Sequence, residues 1–590
     1  MLRSPLVVSV LLGLAVFALY AWRLGEAPVY LSPDEAIISV DARTLASTGY
    51  DVQGEHLPLY FKIQMPGETR WGWFTPAIFY VSALFLSVLR LSEWAVRLPT
   101  VCVGVIDVIL VYLVGRKIFR SDGYALFAAG VLALAPAHFM LSRYALDYVY
   151  PLPFVLGWLF CLLVFVERGR WPWLFAATAL LGVGFYSYIA SVVMMPMYLA
   201  LTGLVLRRTG QPARAYAIAA AGFALPLLPF AAWFLAHPTA LSDTAARYAL
   251  YDTTTLNLLQ GVREFLGYPN LDRLAGLYWN YFNPSFLFFS GDPQMTFSTR
   301  SVGVLLMPLA VLLPFGIHQA IVRRPPLPAA LVLIGFVTAP VAGLLVPEAA
   351  AIIHATALLP FASLLAALGV ERLWSARSIS PSKRFLVAAG GAGLALGLSY
   401  GGWMLATRGR VGISTVLLII AGSAALAGAF VTRPWNSGRL VASALVVFLP
   451  VQFGFFSMDY FTDYRVRSNY WLGGNLRGAL EQMIDRAGRD GDARVYFAPL
   501  QSTAGLMDVR NRWMDAYWRF YLAKHGRQDL LDRSARLEST DVRALPAHSL
   551  VLANIGDRHA DAWVSSGDLR RVAAIPEMDR EPFFVILERP

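Results

Sequence analysis

Cysteine and charge are both scarce in this chain. Two cysteines among 590 residues cannot build a disulfide framework or a cysteine-based metal site. Both Cys102 and Cys161 lie inside apolar runs, where they read as small buried hydrophobes. Charged side chains make up 15% of the sequence, against roughly 25% in ordinary soluble domains. The hydrophobic share is 57% and the mean hydropathy +0.54, which excludes a soluble globular chain. There is no internal repeat and no low-complexity segment. A small-x-small cleavage site is also missing after the first apolar segment ("ALYAWRLGEAP"), so residues 5–22 read as an uncleaved helix rather than a signal peptide.

What the chain has instead is a series of apolar windows close to the 20 or so residues that a bilayer core requires. They fall at 5–24, 98–116, 122–141, 148–166, 171–189, 191–206 and 214–236, then at 301–321, 327–346, 351–370, 385–404, 411–431 and 440–457. This pattern predicts a polytopic α-helical membrane protein with about thirteen spans. The formal charge of +11 does not point to nucleic acid, because the positive residues sit in short clusters between windows, as orientation signals do.

Those clusters also decide how to read 74–92 ("FTPAIFYVSALFLSVLRLS"). If this stretch lies in the interface and the N-terminus with Arg3 is cytoplasmic, six basic clusters face the cytoplasm: 115–120, 167–170, 207–214, 323–326, 371–384 and 433–439. If it spans, all six move outside. Thirteen spans is therefore the consistent solution, and "TRGR" (407–410) is the one cluster out of place. Residues 25–97 then form a first outer loop and 237–300 a second within a membrane domain of 1–457. The charged, evenly mixed tail 458–590 becomes a small extracytoplasmic α/β domain. Its "ARVYFAPL" (493–500) and "HSLVLANIG" (548–556) read as strands and 510–526 as an amphipathic helix. The predicted location is the inner (plasma) membrane, multi-pass.

Chemistry-bearing residues concentrate on the outer side. "SPDE" at 32–35 reads two ways at once. It is a capping box, with Ser32 the N-cap, Pro33 at the first helical position and Glu35 closing back. It is also an acid pair fixed at a membrane surface, with Asp41 two turns further along. Arg143 and Asp147 in "LSRYALDYVYP" read as an i,i+4 ion pair or as a second outer-face group. His354 stands at the outer start of the tenth window. Lys62, Glu68 and Arg70 read as a solvated loop, and the aromatic run 278–289 as an interfacial belt. Asp107, inside the second span, keeps a second class of function open: a flippase or transporter of polyprenyl-linked sugars without transferase activity.

"SPDEAIISVDARTLASTG" (32–49), "WAVRLPTVCVGVIDVILVYLVGRKIF" (94–119) and "ALAPAHFMLSRYALDYVYPLPF" (133–154) together resemble the GT-C superfamily of membrane glycosyltransferases. The closest pattern is the family-39 group of protein O-mannosyltransferases and lipid A aminoarabinose transferases. Looser echoes are "YFNPSFLFFSGD" (281–292), "VPEAAAIIHATALLP" (346–360) and "MDYFTDYRVRS" (458–468). The arginine that many relatives carry shortly after the histidine is absent from "HATALLP". The resemblance implies a GT-C fold and an inverting transfer of a sugar from a polyprenyl-phosphate donor to a hydroxyl at the outer face. The acceptor would be a protein, a glycolipid or a polysaccharide. It implies Asp34 and Glu35 as the catalytic carboxylates, with Asp34 the base. Arg143, Asp147 and His354 would bind the donor phosphate or sugar, and Tyr281 and Asp292 would contact acceptor or lipid. Membrane lipids are implied as partners and nucleic acid is not. A divalent cation stays open, since some relatives use one and others do not.

Overall fold

The computed structural model describes residues 4–64, 71–248, 250–253, 255–323, 326–346, 351–375, 383–408, 411–430, 437–469, 472, 474–489, 493–499, 506–538, 540–578 and 581–590. Glu68, Arg70 and much of the basic cluster 371–384 lie outside them. By contact the chain divides in two. One unit comprises residues 1–20, 100–142 and 147–460; the other comprises 21–99, 143–146 and 461–590. Residues 25–97 thus group by contact with residues 461–590, whereas the sequence reading assigned them to the membrane domain.

The protein is a polytopic helical membrane protein. Among the described residues six helices are long and apolar enough to cross a bilayer: Glu93–Phe119, Asp147–Arg168, Ala213–Ala236, Pro326–Leu345, Leu358–Ser375 and Gly438–Phe461. The other seven windows contain Pro5–Ala21 (α1), Asp122–Ala133, Trp171–Gly184, Ser191–Arg208, Leu309–Val322, Lys383–Arg408 and Ile413–Phe430. Leu358–Ser375 is apolar almost all round and is buried from Leu358 to Val370, the pattern of a helix enclosed by others. It crosses Leu309–Val322 with backbone nearly touching backbone. A Cβ on Gly316 would overlap the Leu365 carbonyl, and one on Gly369 the Leu312 carbonyl.

Window ends differ from the sequence reading where proline or a tight turn intervenes. The window 122–141 breaks before Pro136, where a short helix Pro136–Leu141 begins. The window 351–370 starts its helix only at Leu358, and Ile352–His354 forms a separate 3₁₀ turn. The stretch 74–92 holds the ten-residue helix Ala77–Leu86 (α3). At 1.5 Å per residue this is about 15 Å, half of a hydrocarbon core.

In the second unit, α2 (Pro33–Thr48) runs from the Ser32 cap to Gly49, whose φ of 77° closes the helix in the left-handed region. A short antiparallel ribbon follows, β1 (Phe61–Gln64) with β2 (Trp71–Phe74). Phe61 stacks on Phe79 of α3 at 3.9 Å between ring centres. The start of α4 (Glu93–Phe119) belongs to this unit as far as Pro99. The C-terminal domain carries a five-stranded mixed sheet in the order β4-β3-β5-β7-β6. The strands are β3 (Val495–Phe497), β4 (Ser534–Arg536), β5 (Leu550–Asn554), β6 (Arg570–Ile575) and β7 (Phe584–Glu588). β3 and β5 are the two strands read from sequence. The central β5 is buried at all five positions, as a strand covered on both faces must be. The expected amphipathic helix is Leu506–His525.

Candidate active site

At the start of α2 both readings of "SPDE" have a structural counterpart, divided between its two acids. Ser32 is extended (φ −75°, ψ 161°), its Oγ accepts the Glu35 N–H at 3.3 Å, and Glu35 Oε2 accepts the Ser32 N–H at 2.8 Å. This is the reciprocal capping box, with Pro33 at the first helical position. Glu35 is fully buried and takes two further partners: Arg97 Nε at 2.9 Å and Nη2 at 3.3 Å, and the Ala145 N–H at 2.9 Å. A carboxylate has about four lone-pair positions, and four donor contacts occupy them here. Glu35 was expected as a catalytic carboxylate. Here its carboxylate is buried and saturated by the cap, Arg97 and the Ala145 N–H, so it holds the start of α2 and could take a proton from a substrate only by breaking the knot.

Asp34, one residue earlier, is partly exposed. It sits in the first turn of α2. Its main chain is held by the Ser32 cap and by the Glu35 lock.

Arg97 is the partner in this knot to which sequence reasoning gave no role. Besides Glu35, its fully buried guanidinium donates to the carbonyls of Leu24 (3.2 Å), Pro28 (2.8 Å) and Tyr30 (2.8 Å). One side chain thus closes the loop 24–30 onto the helix that carries Asp34. The signal was present in "EWAVRLPT", but i,i+4 spacing pairs Arg97 with Glu93 on paper. In the fold, Glu93 is bound instead by Lys524 Nζ (2.8 Å to each oxygen) and Arg477 Nε (3.3 Å).

Arg143, expected as a phosphate clamp, is fully buried. Its Nη2 donates to the carbonyls of Ala27 (2.6 Å) and Arg23 (3.3 Å), and its Cζ lies 5.1 Å from the centre of the Phe461 ring. A clamp needs a guanidinium that presents its fork to the ligand, and this one is engaged in shaping the 23–27 turn. The two residues do not share one helix: residue 143 lies in a turn, while Asp147 opens the separate 3₁₀ turn Asp147–Val149.

The remaining predicted residues gather in the first unit. Tyr188 Oη and His354 Nδ1 are 2.7 Å apart with their rings stacked. Tyr148 meets Tyr188 edge-on at 5.7 Å and Phe297 at 5.3 Å. Burial, then Tyr148 and the Asp147 carboxylate, push the Tyr188 phenol well above its usual range, so it stays protonated. Burial also lowers His354 to about 4, leaving the imidazole neutral at pH 7. The phenol is then assigned as donor to Nδ1, and Nε2 carries the ring proton. Asp292 and Tyr281, expected to contact acceptor or lipid, are both fully buried and act inside the protein. Asp292 accepts the N–H of Ile352 (2.7 Å) and of Gln294 (2.8 Å), and Tyr281 Oη donates to Ala351 O (3.3 Å). Both therefore hold the backbone just before His354.

Asp107, on which the transporter alternative rested, is fully buried with its Oδ2 3.3 Å from His138 Nε2. The other ring nitrogen of His138 lies 2.8 Å from Tyr20 Oη. This chain of contacts ties α1, α4 and Pro136–Leu141 together within the packed helices. Among the described residues no group of three or more His, Cys, Asp or Glu side chains is arranged to hold a metal ion.

Residues 74–233 match the family described as dolichyl-phosphate-mannose-protein mannosyltransferase. Over 132 residues the chain is 31% identical to "Putative mannosyltransferase YycA" of Bacillus subtilis (strain 168), covering 22% of this chain and 18% of that protein. The chain thus spans under a fifth of the length of the curated relative it matches. The structure of ArnT from Cupriavidus metallidurans bound to undecaprenyl phosphate aligns with a TM-score of 0.50 at 14% identity, over 99% of this chain and 97% of that one. Its apo form gives 0.49 at 16% identity with the same coverage.

Proposed function

From its likeness to GT-C, family-39-like membrane glycosyltransferases over residues 74–233 and in overall fold, we propose that this chain moves a sugar from a polyprenyl-phosphate carrier to an acceptor hydroxyl. We place the reaction at the outer face of the inner membrane, with the N-terminus cytoplasmic. The observation that carries the reading is the division of labour in "SPDE": Glu35 is locked by Arg97 and the cap, and the adjacent Asp34 stays partly exposed. A base for an acceptor hydroxyl needs a fixed position and access from outside, and Asp34 stands in the first turn of a capped helix and is partly exposed.

In this mechanism Asp34 takes the acceptor hydroxyl proton as the oxygen attacks C1 of the sugar. The C1–O bond to phosphate breaks on the opposite face, polyprenyl phosphate leaves with the electron pair, and the anomeric centre inverts. A phosphate ester leaves readily, so one base suffices in principle, contributing roughly 10²–10⁴-fold. Arg97 and Glu35 act through Asp34 by holding its helix start. We assign His354 a hydrogen-bonding role toward the donor from its Nε2–H, with Tyr188 and Asp147 setting its tautomer and surroundings. A neutral imidazole donates to a phosphate or a sugar hydroxyl without competing for the acceptor's proton. That ArnT was solved with undecaprenyl phosphate supports a polyprenyl-phosphate donor.

The test is Asp34→Asn in membranes supplied with radiolabelled polyprenyl-phosphate sugars. Transfer should fall by about 10²–10⁴-fold. Undiminished transfer removes the assignment, and movement of label across the membrane without transfer replaces the enzyme with a transporter.

A further inference from the structure

The second unit joins the Asp34 helix to the C-terminal domain, and the contacts fall at defined places. Tyr517, buried on Leu506–His525, donates its hydroxyl to the carbonyl of Leu31 at 3.0 Å. Leu31 is fully buried and immediately precedes the Ser32 cap, two residues from Pro33. Next along the chain, Val29 and Tyr30 pack on Leu472. Arg465 Nε donates to the Glu26 carbonyl at 3.0 Å. At the other end of the knot, Lys524 and Arg477 hold Glu93, one turn before Arg97. Lys524 is in turn held by Glu481 at 2.7 Å. The C-terminal domain therefore grips both partners of the Glu35–Arg97 pair through their neighbours.

We infer that the C-terminal domain braces the catalytic helix, and that Tyr517 is a positioning residue for the transfer reaction. This rests on Asp34 being the base. A base must be held within a fraction of an ångström of its working position, and small displacements cost rate steeply. The Leu31 carbonyl has no water to turn to once its partner is gone, so losing that single hydroxyl loosens the peptide that enters the cap. The effect falls on the turnover step, because no part of this brace lies among the groups assigned to the donor.

The experiment is Tyr517→Phe in the full-length protein, which keeps the buried ring and removes only the hydroxyl. Transfer is measured at varied polyprenyl-phosphate sugar, alongside amide hydrogen exchange over residues 31–36 and the thermal midpoint in detergent. The expected result is a fall in kcat of about tenfold. KM for the donor stays unchanged, the thermal midpoint falls by only a few degrees, and exchange at Ser32 and Glu35 becomes faster. A second variant, Lys524→Met, should give the same kcat-selective loss from the Glu93 side. Unchanged kcat in Tyr517→Phe overturns the inference, as does a loss in which KM and the midpoint move together. If the wild-type protein transfers no sugar, the proposed reaction itself has failed. The exchange arm then still decides the brace: unchanged protection over 31–36 rejects it.

Discussion

At the residue scale, the knot around Glu35 trades one large cost for another. The Arg97–Glu35 pair is out of water at both ends, so the desolvation of two ions is offset only while each satisfies the other. Removing one partner leaves a buried charge, which typically costs about 3–5 kcal/mol. Arg97→Met should therefore destabilise the protein by that amount, and Glu35→Gln by less, because the amide oxygen still accepts. Combining Arg97→Met with Glu35→Leu should cost less than the sum of the separate losses. A double-mutant cycle read from thermal unfolding in detergent checks this.

Asp41, on the same helix, behaves differently. Burial first, and then the like charge of Asp51, push its carboxyl up to about 6 against the opposing Val52 N–H and Arg519. The folded state thus binds a proton more tightly than the unfolded one does. Stability contributed by this group is full below about pH 4 and lost as pH rises through about 6. Asp41→Asn should remove that loss, raising the unfolding midpoint at pH 7.5 relative to wild type and leaving it nearly equal at pH 4. Equal midpoints at both pH values would mean that Asp41 is not strained by its charge.

Element by element, the helices were legible in hydrophobic length alone, and their ends were not. Each apolar window contains a helix, because a bilayer admits little else. The irregular segments 301–308 and 351–357 are as apolar as the helices they precede, so composition could not separate them. His354 sits in one of these segments, which is why it was placed on a span. The capping box was readable because Ser, Pro and Glu each have one cheap role at a helix start. Arg97 was not, because its partner is 62 positions away and the nearer Glu93 satisfies the local spacing rule better. For Arg143 the spacing to Asp147 suggested one helix where the chain makes a turn.

The same scale gives a packing prediction. At the Gly316–Gly369 crossing an added methyl meets backbone rather than a movable side chain. Gly316→Ala should therefore force the helices apart and cost about 1–3 kcal/mol. Gly276→Ala, with nothing within 4 Å of its Cβ, should be neutral or slightly stabilising. The difference between the two thermal midpoints isolates backbone approach from helix propensity, which favours alanine at both sites.

For the molecule as a whole, orientation is set by where the positive charges stop. Six of the seven clusters that the sequence places between spans fall on one side if α3 does not cross, and α3 is about half as long as a crossing needs. The same charges would have to be carried out of the cytoplasm if it did, against the electrostatic bias that fixes topology during insertion. This gives a measurement independent of any transfer assay. In a variant with Cys102 and Cys161 replaced by alanine or serine, a single cysteine is placed at Gly276, in the exposed helix Tyr268–Asn280, or at Arg170, between Pro151–Arg168 and Trp171–Gly184. A membrane-impermeant maleimide added to intact cells should label Gly276→Cys at once and Arg170→Cys only after the membrane is opened. The reverse order would put the loop 237–300 in the cytoplasm and, with the same thirteen spans, residues 25–97 as well. Asp34 would then have to find its acceptor among cytoplasmic hydroxyls, and the outer-face reaction proposed above would be untenable whatever its chemistry.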